Sequence, residues 1–122
     1  MSMDKDLIEI DVGVGLSDSE LIAYNYLKRS DKLTVKLQAW DASVIEIYFN
    51  NPILFVDRGC GEITMFCEKK SESDLLKNAL EENYDKGVVP NNHPYKLYQL
   101  LDLDSNSSLE IVCKGVEIQR IK

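Results

Sequence analysis

LTVKLQAWDASVIEIYF, residues 33 to 49, carries the reading on which the fold depends. Leu33, Val35, Leu37 and Ala39 fall on one side of an extended chain, and Thr34, Lys36, Gln38 and Trp40 on the other. Asp41-Ala42-Ser43 interrupts the run. Ile45, Ile47 and Phe49 then alternate with Glu46 and Tyr48. Side chains that change sides at every step, rich in β-branched and aromatic types, mark half-buried strands. The short polar break between them marks a reversal of direction.

The same habit extends in both directions. Leu7 to Val14 is strand-like and closes at Gly13 and Gly15. Residues 17 to 29 are ambiguous. Ser17-Asp18-Ser19-Glu20 has the spacing of a helix capping box, yet LIAYNYLK shows no helical face, and Ile22, Tyr24 and Tyr26 repeat at period two. The pattern favours a strand over 22–28, so that 22–28, 33–40 and 44–49 form a meander. Asn50-Asn51-Pro52 is a turn.

Two more strands, 53–57 and 62–67, read as a hairpin. With Arg58 to Gly61 as its loop, Val56 faces Ile63 and Leu54 faces Met65, and Gly59 and Gly61 supply positive φ. Tyr95 to Leu103 alternates, with Tyr95, Leu97, Leu101 and Leu103 on one face. Leu109, Ile111 and Cys113 face one side of a returning strand, with Gly115 as a bulge or break before Val116 and Ile118.

One helix interrupts this series. Ser73 caps it, Asp74 suits its first turn, and Leu75, Leu76, Ala79 and Leu80 form an apolar stripe over about 74–84. The connections are too short for parallel crossovers. The expected fold is therefore mainly β (α+β): an antiparallel meander bent into a sandwich or partial barrel, with the helix inserted before the C-terminal hairpin. The whole of 1–122 is expected to form a single domain, a common domain length.

Charge and cysteine content narrow the function classes. The net charge is −7, from 21 acids against 14 bases, and only Arg29, Arg58 and Arg120 are arginines. Nucleic-acid binding draws its strength from basic side chains on phosphates, so a nucleic-acid partner is not expected. Three cysteines form no disulfide framework, no apolar run resembles a signal core, and none is long enough to cross a membrane. A cytoplasmic location is expected.

The chemical motifs are weak. Cys60, between Gly59 and Gly61, would need His93 or Arg58 to activate it, and nothing in the spacing joins them. Cys67 and Cys113 read as small buried hydrophobes. The three cysteines and one histidine lack zinc spacing, so no metal is expected. Asp102 to Asn106 imitates a calcium loop but has Ser107 in place of the glycine and Cys113 in place of the closing glutamate. Gly13-Val14-Gly15 lacks the third glycine of a nucleotide loop, with Asp18 in its place. No cofactor is expected.

Tyr24, Tyr26, Trp40 and Tyr48 remain as the candidate binding residues, an aromatic sheet face within an acidic rim. The composition suits a non-catalytic, immunity- or inhibitor-like protein that engages a protein partner, with a basic one best matched to the charge. A small-molecule-binding β-barrel is the alternative, and a thiol enzyme using Cys60 and His93 a further one. Exposed edge strands also offer a route to a homo-oligomer.

Overall fold

The computed structural model describes residues 7–13, 15–59, 62–70, 74–84, 89–90, 93–104 and 106–121. The residues at 33–49 form the strands their alternation demands. β3 (Lys32–Gln38) and β4 (Val44–Asn50) pair antiparallel, with Leu33 opposite Phe49, Val35 opposite Ile47 and Leu37 opposite Ile45, all buried. Opposed residues of an antiparallel pair share a face, so these six make one apolar surface. β2 (Ser19–Leu27) joins β3 on its other side, so residues 19–27 are strand and complete the meander.

The remaining strands are β1 (Leu7–Glu9), β5 (Leu54–Asp57), β6 (Glu62–Ile63), β7 (Met65–Lys69), β8 (Lys96–Leu101), β9 (Ser107–Cys113) and β10 (Gly115–Ile121). They complete two five-stranded antiparallel sheets. The meander sheet runs β10-β4-β3-β2-β6, and the second sheet runs β1-β7-β8-β9-β5. The fold is a mainly-β α+β sandwich, as its alternating strands and lone apolar-striped helix predict.

The principal core lies between the sheets, where Leu33, Val35, Ile47 and Phe49 meet Phe66, Tyr98, Leu100 and Ile111. The opposite face of the second sheet carries a smaller core. There the helix α1 (Asp74–Asn83) buries Leu76, Ala79 and Leu80 against Leu97 and Val112. The layers are thus meander sheet, second sheet, helix. Among the described residues no helix is long and apolar enough to cross a membrane.

Four expectations need correction. Residues 53–57 and 62–67 do not form a hairpin with each other. β5 pairs with β9, placing Leu54 opposite Val112 and Val56 opposite Glu110, whereas β6 pairs with β2, Ser19 against Ile63. The two segments lie in different sheets. The chain also bends at Thr64, whose amide and hydroxyl donate to the carbonyls of Leu101 and Asp102, so β6 and β7 serve opposite layers. The turn chemistry survives: Gly59 has φ 87°, and its amide donates to Asp57 Oδ1. Cys60 and Gly61 lie outside the described residues.

The second correction concerns Leu103. A register shift between Leu100 and Leu101 ends β8, and Leu103 projects from the β8–β9 turn at 73% exposure rather than sharing a face with Leu97. In that turn the Asp102 carboxylate accepts the amides of Asp104 and Asn106, which accounts for the acidic run as turn chemistry. Third, β1 is shorter than expected. Val12 and Leu16 leave the strand register to plug the end of the principal core, and Val14 lies outside the described residues. Fourth, β10 does not continue β9. The break falls at Lys114, and β10 crosses to pair with β4.

Candidate functional site

The meander brings the four candidate aromatic residues to three different places. Tyr24 lies opposite Val35 and Tyr26 opposite Leu33, so both belong to the inward face of the meander sheet. They remain 42% and 48% exposed on β2. Tyr48 lies opposite Thr34 and Glu117 on the outward face, and its hydroxyl donates to Glu46 Oε1 at 2.6 Å. Around it the outward face is polar, with Lys36 near Glu46 and Lys32 near Glu117, each at 3.7 Å. Trp40 projects from the β3–β4 turn at 65% exposure, beside an Asp41 held by Arg120 at 2.8 Å. Tyr24 and Tyr26 therefore form one site, and Tyr48 and Trp40 stand apart from it.

What sets Tyr24 and Tyr26 apart is the edge they occupy. β2 bonds to β3 along Glu20 to Leu27, but on its other side it meets only the two residues of β6, at Ser19 and Glu20. From Leu21 to Leu27 that side has no strand neighbour among the described residues. A register shift places Ile22 as an extra residue in the strand, and Ile22, Tyr24, Tyr26 and Leu27 are all exposed. β6 meets β2 antiparallel, Ser19 against Ile63 and Glu20 against Glu62, so the chain that would continue it along Leu21 and Ile22 is Gly61 and Cys60, outside the described residues. Ser19 fixes this short pairing, its buried hydroxyl donating to the Ile63 carbonyl.

Both phenols are anchored. Tyr24 packs edge-on against Phe55 of β5, ring centres 4.7 Å apart, and its hydroxyl donates to Asp57 Oδ2 at 2.7 Å. Tyr26 donates to Asp31 Oδ1 at 2.7 Å, and Asp31 Oδ2 also accepts from the Asn51 side-chain amide. These bonds raise both phenol pKa values above the ordinary range. They hold Asp57 and Asp31 below the usual carboxylate range, with the Gly59 amide and the Asn51 amide as the second contributions. The anchors stay intact from above the ordinary carboxylate pKa to below the ordinary phenol pKa, and the rings present a fixed surface throughout.

Next to this edge lies an apolar hollow of about 410 Å³, lined by Tyr26, Leu33, Pro52, Ile53, Leu54 and Phe55. Its walls belong to β2, β3, the β4–β5 connection and β5. A free backbone edge beside an apolar hollow can do one thing chemically: it can hydrogen-bond an added strand and accept that strand's alternate side chains.

The thiol candidates separate in the same way. Cys67 and Cys113 are buried, and burial pushes their thiols up to about 11 and about 12. At pH 8 the Cys67 thiolate is therefore about a hundredfold scarcer than that of a free thiol. Iodoacetamide labelling followed by peptide mapping should show Cys67 reacting at least about a hundredfold more slowly than a free thiol, and Cys113 more slowly still. His93 is half-buried, and its Nδ1 accepts the Tyr95 amide at 3.2 Å. Among the described residues no three His, Cys, Asp or Glu side chains gather in a metal-holding group.

Sequence reasoning chose Tyr24 and Tyr26 but missed Phe55, Asp31 and Asp57, which anchor them. Phe55 alternates like any core residue, and nothing local shows that its strand ends up beside β2. Comparison with family models, curated proteins and solved structures returned no significant match.

Proposed function

We propose that this protein is a non-catalytic binding protein that captures an extended segment of a protein partner by strand addition at the β2 edge. One observation carries the reading: among the described residues Leu21–Leu27 is a strand with no neighbour on one side and with exposed Ile22, Tyr24, Tyr26 and Leu27 along it. Soluble proteins usually blunt long edges with charge, proline or brevity. Leu21 to Leu27 carries neither charge nor proline, and its one irregularity, at Ile22, comes before the tyrosines. Backbone bonds supply affinity in this mode, and alternate side chains, seated in the apolar hollow, supply selectivity. Anchored tyrosines lose little freedom on binding, which lowers the cost of association.

The partner segment is apolar at alternate positions and basic in its flanks. A net charge of −7 attracts such a segment over distance, and Asp18 and Glu20 stand exposed at the start of β2. Selection of a displayed random-peptide library on the protein tests this. The expected peptides alternate apolar residues with Lys or Arg, bind in the micromolar range, and weaken with rising salt. Tyr26→Lys, which blunts the edge with a charge, should weaken them at least about tenfold, or about 1.4 kcal/mol. Peptides that bind this variant as well as the native protein would refute the assignment of the site. Binding indifferent to salt would remove the basic partner.

A further inference from the structure

The edge of β2 is complementary to itself, and we infer that a second copy of this chain occupies it, forming a two-fold dimer that a partner segment must displace. This inference rests on the reading of β2 as a strand-addition site and names the occupant present when no other partner is.

Other edges are poorer candidates. β1 has three residues, and β5 has four, ending at an Asp57 already engaged by Tyr24. β10 is as long as the free part of β2 but sets charged Glu117 and Arg120 among its apolar residues. Only β2 combines length with a run of exposed apolar side chains among the described residues.

The register follows from what already surrounds the strand. β6 lies beside Ser19 and Glu20, so an added strand must end or turn before reaching them. Setting Tyr24 opposite Tyr24 of the second copy would drive Lys28 of that copy into the place of β6. Setting Tyr26 opposite itself would leave only Asn25 to Leu27 paired. With Asn25 at the two-fold axis, residues 23–27 pair along their whole length. The chain of the second copy then enters its β2–β3 turn, where Lys28 accepts the Asp31 amide, before meeting β6.

In that register the side chains match. On the inward face Tyr24 lies opposite Tyr26 of the second copy, and symmetry repeats the pair, making four anchored rings. On the outward face Ala23 meets Leu27 of the second copy, small against large. Aromatic pairs directly opposed across strands are favourable ones. At the axis the two Asn25 amides face each other and can exchange hydrogen bonds. Beyond the paired run, exposed Lys28 and Arg29 of each copy approach exposed Asp18 and Glu20 of the other, so basic and acidic ends meet twice. Every contact is isologous, as a closed dimer requires. Its small size places it among weak, reversible associations.

Sedimentation velocity on the full chain, from about 10 μM to about 1 mM, should show a reversible monomer–dimer equilibrium. Asn25→Lys opposes two like charges at the axis and should weaken the dimer at least about tenfold. Circular dichroism should show that the variant folds, since its site is exposed. As a second measurement, Asn25→Cys should form an intermolecular 25–25 disulfide under mild oxidation, mapped by mass spectrometry, whereas Lys28→Cys should not link to itself. A chain monomeric at about 1 mM, a dimer indifferent to Asn25→Lys, or no 25–25 link would each overturn the inference. Peptide binding, measured at about 1 μM where the chain is monomeric, reads separately: if it persists, only the dimer falls.

Discussion

Phe66→Ala is expected to destabilise the protein by about 3–5 kcal/mol, a large fraction of the stability of a domain this size. Phe66 is fully buried on β7 and faces the meander sheet. Its ring meets Phe49 of β4 edge-on, with centres 5.8 Å apart and planes at 90°, and stacks on Tyr98 of β8 at 6.0 Å and 28°. Phe49 and Tyr98 also meet, at 6.0 Å. The three rings join the two sheets across the principal core. Truncation removes the transfer energy of a phenyl group and leaves a void that two sheets of hydrogen-bonded strands cannot collapse to fill. Urea unfolding should show a lowered midpoint with an unchanged slope. Trp40→Ala serves as the control: that ring is 65% exposed, and its loss should change stability by no more than about 0.5 kcal/mol. Equal effects at the two positions would mean that the core is not where the layers place it.

The second large effect concerns a charge. Glu110 lies on β9, and its side chain keeps only 9% exposure. Arg58 reaches over from the end of β5, with Nε 2.6 Å and a terminal guanidinium nitrogen 2.5 Å from Glu110 Oε1. Gln99 of β8 donates to Oε2 at 2.9 Å. Arg58→Ala strands a buried carboxylate with a single neutral partner. The expected cost is about 2–3 kcal/mol, moderated because Arg58 is half-exposed and water replaces part of what it supplies. Adding Glu110→Gln to Arg58→Ala removes the stranded charge and should return about 1–2 kcal/mol, and the loss from Glu110→Gln alone completes the double-mutant cycle that isolates the coupling. Additive losses in that cycle would mean that the pair contributes nothing as a pair.

How far these contacts could be read beforehand differs from element to element. Residues 33–49 and the helix were legible because their signals are local: alternation commits a side chain to a face, and an apolar stripe at helical spacing commits a helix to one buried side. The burial of Cys67 and Cys113, and the positive φ at Gly59, follow from the same local reasoning. The pairing of β5 was not legible. A hairpin of 53–57 with 62–67 satisfies the alternation as well as the observed pairing of β5 with β9, because alternation names faces and not neighbours. Closing the longer loop costs only a slowly growing entropy, so the better packing of Leu54 against Val112 and the helix cluster decides.

The candidate site divides along the same line. Leu21 to Leu27 carries in its own residues a strand with tyrosines at period two and no charge among them, and that much any context would preserve. Whether those tyrosines become core, surface or edge depends on who stands beside the strand. Among the described residues β6 meets β2 at Ser19 and Glu20 alone, and the rest of that side of β2 has no strand neighbour. The crossing of β5 to the second sheet brings Phe55 and Asp57 to Tyr24. A side chain's direction is set by the backbone torsions of its own few residues, which local sequence controls. A strand's neighbour is set by the free energy of the whole packed assembly, which no single stretch contains.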